Sequence, residues 1–185
     1  MRTVIVFESL FGNTEQFAHE IRDAIEDMGE EAVAADVRRI RPDDLTHCDL
    51  LIVGAPTHAF SLSRQSTRDD AVRQGAEAGR AVVGVREWLT TLDLTFAART
   101  DRPPAAVFDT RVEKVRHLPG SAARRAARAL RAQGIEIVDR PTSFYVEDLK
   151  GPAVPGEAER ARAWATGVVR AVVAGAGARR RGGSS

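Results

Sequence analysis

Short apolar runs alternate with stretches of helical periodicity along most of the chain. Thr3–Phe7 is a continuous apolar run, the mark of a strand buried on both faces of a parallel sheet. After a turn, Phe17, Ile21, Ile25 and Met28 recur on one face with Ala18 and Ala24 beside them, which predicts a helix over Thr14–Met28. Asn13 is its expected N-cap, with Gln16 three residues on, and Gly29 its expected C-terminal cap. Glu31–Asp36 predicts a second strand, Pro42–Leu45 a short helical turn and Asp49–Gly54 a third strand. From Ala55 to about Gly84 the pattern dissolves into polar, Gly-containing sequence and predicts a long loop, a feature usually functional or mobile. Val85–Leu94 reads as a helix with Trp88, Leu89 and Leu92 inward, and Pro104–Asp109 as a buried strand followed by an irregular loop to Pro119. Ser121–Gln133 is an Ala- and Arg-rich helix stopped by Gly134. Ile135–Val138 and Thr142–Glu147 read as short strands around Arg140 and Pro141, and Glu157–Ala174 as the last helix.

Alternating strands and helices imply a three-layer α/β/α sandwich around a parallel sheet. Right-handed crossovers then place the loops after the strands along one edge, where ligands of such sheets bind. At 185 residues the chain is expected to form one domain over 1–174, with a disordered Gly/Ala/Arg/Ser tail over 175–185. A single cysteine, Cys48, excludes an internal disulfide and a Cys-rich zinc site. No basic start leads into a long apolar stretch and no run reaches the ~20 apolar residues of a membrane span, so a soluble, cytoplasmic protein without membrane contact is expected. The net charge of +1 hides an asymmetry: residues 1–60 carry five Arg/Lys against twelve Asp/Glu (−7), and residues 61–185 carry 22 against 14 (+8). A basic surface on one half bears on partner docking.

The loops at the expected ligand edge carry the candidate chemistry. The first is Ser9, Leu10, Phe11, Gly12, Asn13 and Thr14, between a strand and a helix N-terminus. Backbone N–H groups and the positive end of the helix dipole meet there, Ser9, Asn13 and Thr14 add side-chain donors, and Gly12 lets the backbone wrap closely around an anion. With no Lys or Arg, this loop suits a phosphate monoester bound by neutral donors; it lacks the Gly-Lys-Ser/Thr of a P-loop and the Gly-x-Gly-x-x-Gly of dinucleotide folds. Read alone, it is also an ordinary capped turn. The second loop, Gly54–Phe60, leaves Pro56, Thr57, His58 and Phe60 at the same edge, where a flat heteroaromatic ring finds hydrogen bonds and an apolar wall. The third, Phe108–Val112, adds Asp109, Thr110 and Arg111.

At these residues the chain resembles the flavodoxin-like family, whose FMN phosphate loop reads Thr/Ser-x-Thr-Gly-x-Thr. Ser9–Thr14 matches it except for Phe11 at the third position, which removes one hydroxyl. The resemblance covers roughly residues 3–174 and implies a five-stranded parallel sheet in the order 2-1-3-4-5 and FMN as cofactor. It implies that Ser9 to Thr14 hold the phosphate while Pro56 to Phe60 and Asp109 to Arg111 flank the isoalloxazine. The Trp and Tyr that often stack on the ring in the family are missing from these loops, leaving Phe60 or His58 for that place. The expected function is electron transfer through FMN with redox partner proteins. An NAD(P)H:quinone oxidoreductase on the same fold, with the 55–84 loop lining a substrate pocket, is the alternative, and a non-redox module binding another small ligand is a third. A receiver domain shares the layer order, but Gly54 stands where its phosphorylated Asp is needed.

The remaining polar and aromatic residues have structural readings. Cys48 is expected in the core, His19 and His47 at the surface, and Trp88 and Trp164 as anchors of helices on the sheet. No His/Asp/Glu spacing suits a metal. Arg124, Arg125, Arg128 and Arg131 share the side of their helix opposite Ala123, Ala127 and Leu130: a solvated face, or a docking surface for an acidic redox partner. Arg179–Arg181 is a poor nucleic-acid signature, and nucleic acid is not an expected partner.

Overall fold

The computed structural model describes residues 1–92 and 102–182, with the backbone alone at residues 42 and 176–182. Apolar runs form the strands β1 (Arg2–Phe7), β2 (Glu31–Asp36), β3 (Leu50–Pro56), β4 (Ala105–Val112) and β5 (Thr142–Val146). They pair in parallel in the order β2-β1-β3-β4-β5, the expected topology. The helices α1 (Asn13–Glu26), α2 (Gln65–Arg73), α3 (Val85–Thr91), α4 (Ala122–Ala132) and α5 (Glu157–Gly182) complete the sandwich.

Successive side chains of a strand point to opposite faces, so each central strand feeds two core layers. Val4 and Val6 of β1, Leu51 and Val53 of β3 and Val107 of β4 meet α3 and α4 through Val85, Leu89, Ala123, Ala127 and Leu130. Ile5, Phe7, Leu50, Ile52 and Phe108 meet α1 and α5 through Phe17, Ile21, Ile25, Ala165 and Val169. A strand covered on both faces must be apolar throughout, which is why β1 and β3 read as unbroken runs. Gly54 interrupts β3 for a steric reason: a Cβ there would lie 2.3 Å from the Phe108 ring. Trp164 anchors α5 as expected, edge-on to Phe108 and Phe144 with its indole N–H on Asp139 at 2.7 Å. Cys48 is buried, its thiol on the Leu50 carbonyl at 3.1 Å and its pKa pushed up to about 11 by burial.

Several local expectations are corrected. Asn13 does not cap α1 but begins it; Gly12, at φ 91, holds the cap position without a side chain, and the Asn13 amide donates to the Leu149 carbonyl at 2.7 Å. The 55–84 segment is not one loop, because it contains α2. That helix has no apolar stripe to read; it is pinned by Arg68, whose guanidinium is 1 % exposed and donates to the Ala81 carbonyl, Ser63, Glu87 and Gln65. β4 runs on past the predicted end at Asp109 through Val112, so Thr110 and Arg111 are strand residues rather than a loop; Asp109 and Thr110 pair with both β3 and β5, and Arg111 with β5. Ile135–Val138 makes only an isolated bridge, Ile137 to Ala105. His19 is half-buried with its ring edge toward Phe7, not exposed. α5 continues beyond its predicted end at Ala174 to Gly182: Ala and Arg are strong helix formers, and scattered glycines do not stop them. Residues 93–94 of the expected Val85–Leu94 helix and residues 183–185 lie outside the described residues. Among the described residues no helix is long and apolar enough to cross a membrane.

Candidate functional site

The C-terminal ends of β1, β3 and β4 deliver the three predicted segments to one edge, as parallel crossovers require. Ser9, Leu10, Phe11, Asn13 and Thr14 from the first, Pro56, Thr57 and His58 from the second, and Thr110 and Arg111 from the end of β4 line one cavity of about 50 Å3. Val112, Val146 and Leu149 complete its wall, so β5 and the loop after it also take part, which the sequence reading missed. The Thr14 and Thr110 hydroxyls lie 2.8 Å apart and tie α1 to β4. Gly12, Phe60 and Asp109 stand around this cavity rather than in its wall.

The first loop has the character of an anion cradle. The backbone N–H groups of Ser9 through Thr14 find no acceptor among the described residues, and that of Glu15 donates to Ser9 Oγ at 3.2 Å. Unpartnered N–H groups at the N-terminus of a long helix favour negative charge. Nothing in the protein lies within 4 Å of where a Gly12 Cβ would be, so the need for glycine is conformational: φ is +91. Ser9 and Thr14 have hydroxyls to offer a ligand, whereas Asn13 has already committed its amide to Leu149. A volume of about 50 Å3 falls far below the roughly 300–1,000 Å3 of whole small-molecule pockets. It suits a compact anionic head group, with the rest of a larger ligand along the open edge.

The second segment is a tight turn in which His58 and Ser61 exchange backbone hydrogen bonds at 2.9 and 3.0 Å. Its central residues, Ala59 (φ 44) and Phe60 (φ 62), both occupy the left-handed region, at a cost of about 1–2 kcal/mol each for residues bearing a Cβ. The turn leaves Phe60 43 % exposed and seats its backbone on Gly120, where a Cβ would meet the Phe60 carbonyl at 2.6 Å. His58 is held below its ordinary pKa by burial and then by the charge of Arg68, which leaves a neutral ring at neutral pH.

Thr57 and Asp109 have a supporting task. Thr57 Oγ1 donates to Asp109 Oδ2 and accepts from the Ala122 N–H, and Asp109 Oδ2 also accepts from the Ala123 N–H, all at 2.9 Å. Together they cap α4 and lock the second segment to β4. Arg111 is different: it is 7 % exposed, its Nη2 donates to the Val115 and Leu118 carbonyls at 3.0 Å, and its Nε has no partner. No carboxylate among the described residues pairs with it. A buried cation without a counter-charge is costly unless something else supplies one.

Two further features escaped the sequence reading because they are assembled from distant segments. A second cavity of about 320 Å3 lies across the first loop, lined by Leu10, Phe11, Gly12, the 75–77 segment, Arg80 and Lys150. It brings cations to a loop that has none: Arg80 pairs with Glu15 at 2.6 Å, and Lys150 Nζ stands 6.0 Å from the centre of the Phe11 ring. Behind the site, Glu8 is 1 % exposed and accepts from the Val85 N–H at 2.9 Å. Burial raises its pKa; the Ser63 hydroxyl, the Val85 N–H and Arg68 oppose the rise, and Glu87 adds to it. A carboxyl raised in the folded state contributes stability below its unfolded value near 4.5 and loses it as pH climbs through the folded value. Glu8→Gln removes that loss, so its urea midpoint is expected to gain on wild type as the pH rises above about 4.5. Parallel curves for the two proteins would show that the Glu8 carboxyl is not raised.

Residues 5–80 match the family model for flavodoxin. No curated protein matches the sequence. Among solved structures, a flavodoxin from the domain Archaea is similar with a TM-score of 0.63 at 15% identity, over 93% of this chain and 99% of that one. Flavodoxin 2 from Bacillus cereus is similar with a TM-score of 0.65 at 16% identity, over 92% and 99%. Rubredoxin oxygen:oxidoreductase from Desulfovibrio gigas gives 0.66 at 15% identity over 94% of this chain but only 36% of its own, so this chain spans about a third of that protein. At these identities the likeness is one of fold.

Proposed function

This chain is flavodoxin-like in fold and in its N-terminal sequence, and from that premise we propose that it holds FMN non-covalently at the C-terminal edge of its sheet and carries electrons on it. The observation that carries the reading is the row of unpartnered N–H groups from Ser9 to Thr14, opening on a cavity of phosphate size that also receives Arg111. Ser9, Leu10, Phe11, Gly12, Asn13 and Thr14 would cradle the terminal phosphate, chiefly through backbone N–H groups and the Ser9 and Thr14 hydroxyls. Pro56, Thr57, His58 and Phe60 on one side, and Asp109, Thr110 and Arg111 on the other, would flank the ring, with Thr57 and Asp109 acting through the cap of α4. FMN, when bound, supplies the redox chemistry itself; the protein orients it, shields it and sets its potential. A buried, reduced Cys48 suits the reducing cytoplasm.

The reading is tested by ligand preference. Charge-assisted hydrogen bonds contribute about 1.5–3 kcal/mol each, so a dianion meeting several N–H groups should favour FMN over riboflavin by about a hundredfold or more. Fluorescence titration should give one FMN per chain with that preference. Equal affinity for riboflavin would sink the proposal.

A further inference from the structure

We propose that the face built from the loop 113–120, the Phe60 turn and the solvent side of α4 is a docking surface for an acidic protein. The proposal rests on the FMN reading for what is exchanged there, but not for the charge of the partner.

Residues 113–132 carry six cations (Lys114, Arg116, Arg124, Arg125, Arg128 and Arg131) against one acid, Glu113. Glu113 is already paired with Arg116 at 3.3 Å. α4 buries Ala122, Ala123, Ala126, Ala127 and Leu130, and this packing turns all four of its arginines to solvent. None of the four makes an ion pair among the described residues. Arg124, Arg128 and Arg131 follow one another at helical spacings of four and three, where like charges repel. Among the described residues no carboxylate relieves that repulsion, so a carboxylate-rich surface arriving from outside gains what they leave unmet.

Beside this row lie two exposed apolar side chains, Phe60 at 43 % and Leu118 at 46 %. They share one foundation: the Phe60 turn rests on Gly120, two residues after Leu118 and just before the Ser121 cap of α4. Exposed aromatic and aliphatic side chains together with arginines are the composition of a protein interface. From Arg124 to Arg131 the row spans only about 10 Å at 1.5 Å per residue, a short track for a nucleic-acid backbone. The surface is also mechanically joined to the cavity. The first N–H groups of α4 hold Thr57 and Asp109, and Arg111 holds the Val115 and Leu118 carbonyls. A partner seated here therefore sits at the edge where the flavin is proposed to lie.

The test uses the FMN-reconstituted full chain, the triple reversal Arg124→Glu/Arg128→Glu/Arg131→Glu, and the charge-keeping triple Arg124→Lys/Arg128→Lys/Arg131→Lys. The probes are a small acidic two-iron iron–sulfur protein, the basic haem protein cytochrome c and a short DNA duplex, with association followed by surface plasmon resonance over a range of salt. The wild type should associate with the acidic probe faster than with cytochrome c, and about tenfold more slowly at physiological than at low salt. The reversal should cut the low-salt rate by about tenfold or more and raise that for cytochrome c, while the lysine triple stays near wild type. Phe60→Ser should weaken binding without changing the salt slope. Wild-type preference for cytochrome c, indifference to the reversal, or tighter binding of the duplex that the reversal abolishes would each overturn the proposal. Flavin absorbance of each protein is read in parallel. A wild type that takes up no FMN defeats the functional reading, and the probe measurements still decide the docking surface.

Discussion

Gly12→Val is expected to bind FMN about a hundredfold more weakly than wild type while keeping the fold. Gly12 sits at φ +91, where a residue with a Cβ pays about 1–2 kcal/mol and a β-branched one has fewer rotamers left. No protein atom lies within 4 Å of the added Cβ, so the core does not feel the change. The strain is relieved by shifting the Gly12 backbone, and that re-aims the N–H groups of residues 9–14 which otherwise converge at the N-terminus of α1. Loss of one charge-assisted hydrogen bond is worth about 1.5–3 kcal/mol, or roughly ten- to a hundredfold in affinity. Riboflavin, which has no phosphate, should be affected much less. Gly12→Ala separates the causes: it keeps most of the conformational cost with little bulk, and should fall between the two proteins. Normal FMN binding by Gly12→Val would place the phosphate elsewhere.

Replacing Arg111 by Gln is expected to make the last electron harder to add to the bound flavin. The guanidinium is buried, lacks a carboxylate and faces the cavity through a side chain whose Nε has no partner. A fixed positive charge near a ring that gains negative charge on reduction stabilises the reduced form. For charges about 6 Å apart at an effective dielectric of about 20, Coulomb's law gives roughly 3 kcal/mol, and solvent screening reduces it. The potential of the fully reduced couple should therefore fall by roughly 50–100 mV in Arg111→Gln. Arg111 also clamps the Val115 and Leu118 carbonyls, so a loosened loop could shift the potential by itself. Arg111→Lys distinguishes the two, because lysine keeps the charge and loses the planar fork. Spectroelectrochemical titration should show the Gln variant shifted and the Lys variant near wild type. Unchanged potentials in Arg111→Gln would remove the guanidinium from the neighbourhood of the ring.

Much of this architecture was legible because it depends on local periodicity. Thr3–Phe7 and Asp49–Gly54 read as strands buried on both faces since burial on both faces demands unbroken apolar sequence. The spacing of Phe17, Ile21 and Ile25 placed α1 because a helix with one buried face must repeat its apolar residues on that face. The free backbone N–H groups of the first loop were legible because a helix start with glycine suffices to announce them. The missed elements have the opposite character. α2 is held by the buried guanidinium of Arg68 and not by an apolar stripe, so its sequence looks like loop. Thr110 and Arg111 look like loop residues, yet sit in β4, where the Thr14 hydroxyl partners the first and backbone carbonyls bind the second.

What the sequence determined by itself was the sandwich, its strand order through family resemblance, and the edge at which chemistry gathers. These follow from short-range patterns and from the handedness of parallel crossovers. Only the tertiary structure decided which side chains at that edge are free to meet a ligand. Asn13, Thr57 and Asp109 look like donors and acceptors in sequence, but folding commits them to Leu149 and to the N-terminus of α4. Arg111 looks like one arginine among 25, but folding buries it with no carboxylate partner among the described residues. Arg80 and Lys150 reach the loop from far along the chain, and Glu8 beside it takes its hydrogen bond from the distant Val85 N–H. Hydrogen-bond and charge satisfaction are properties of neighbours in space, and a linear pattern does not carry them.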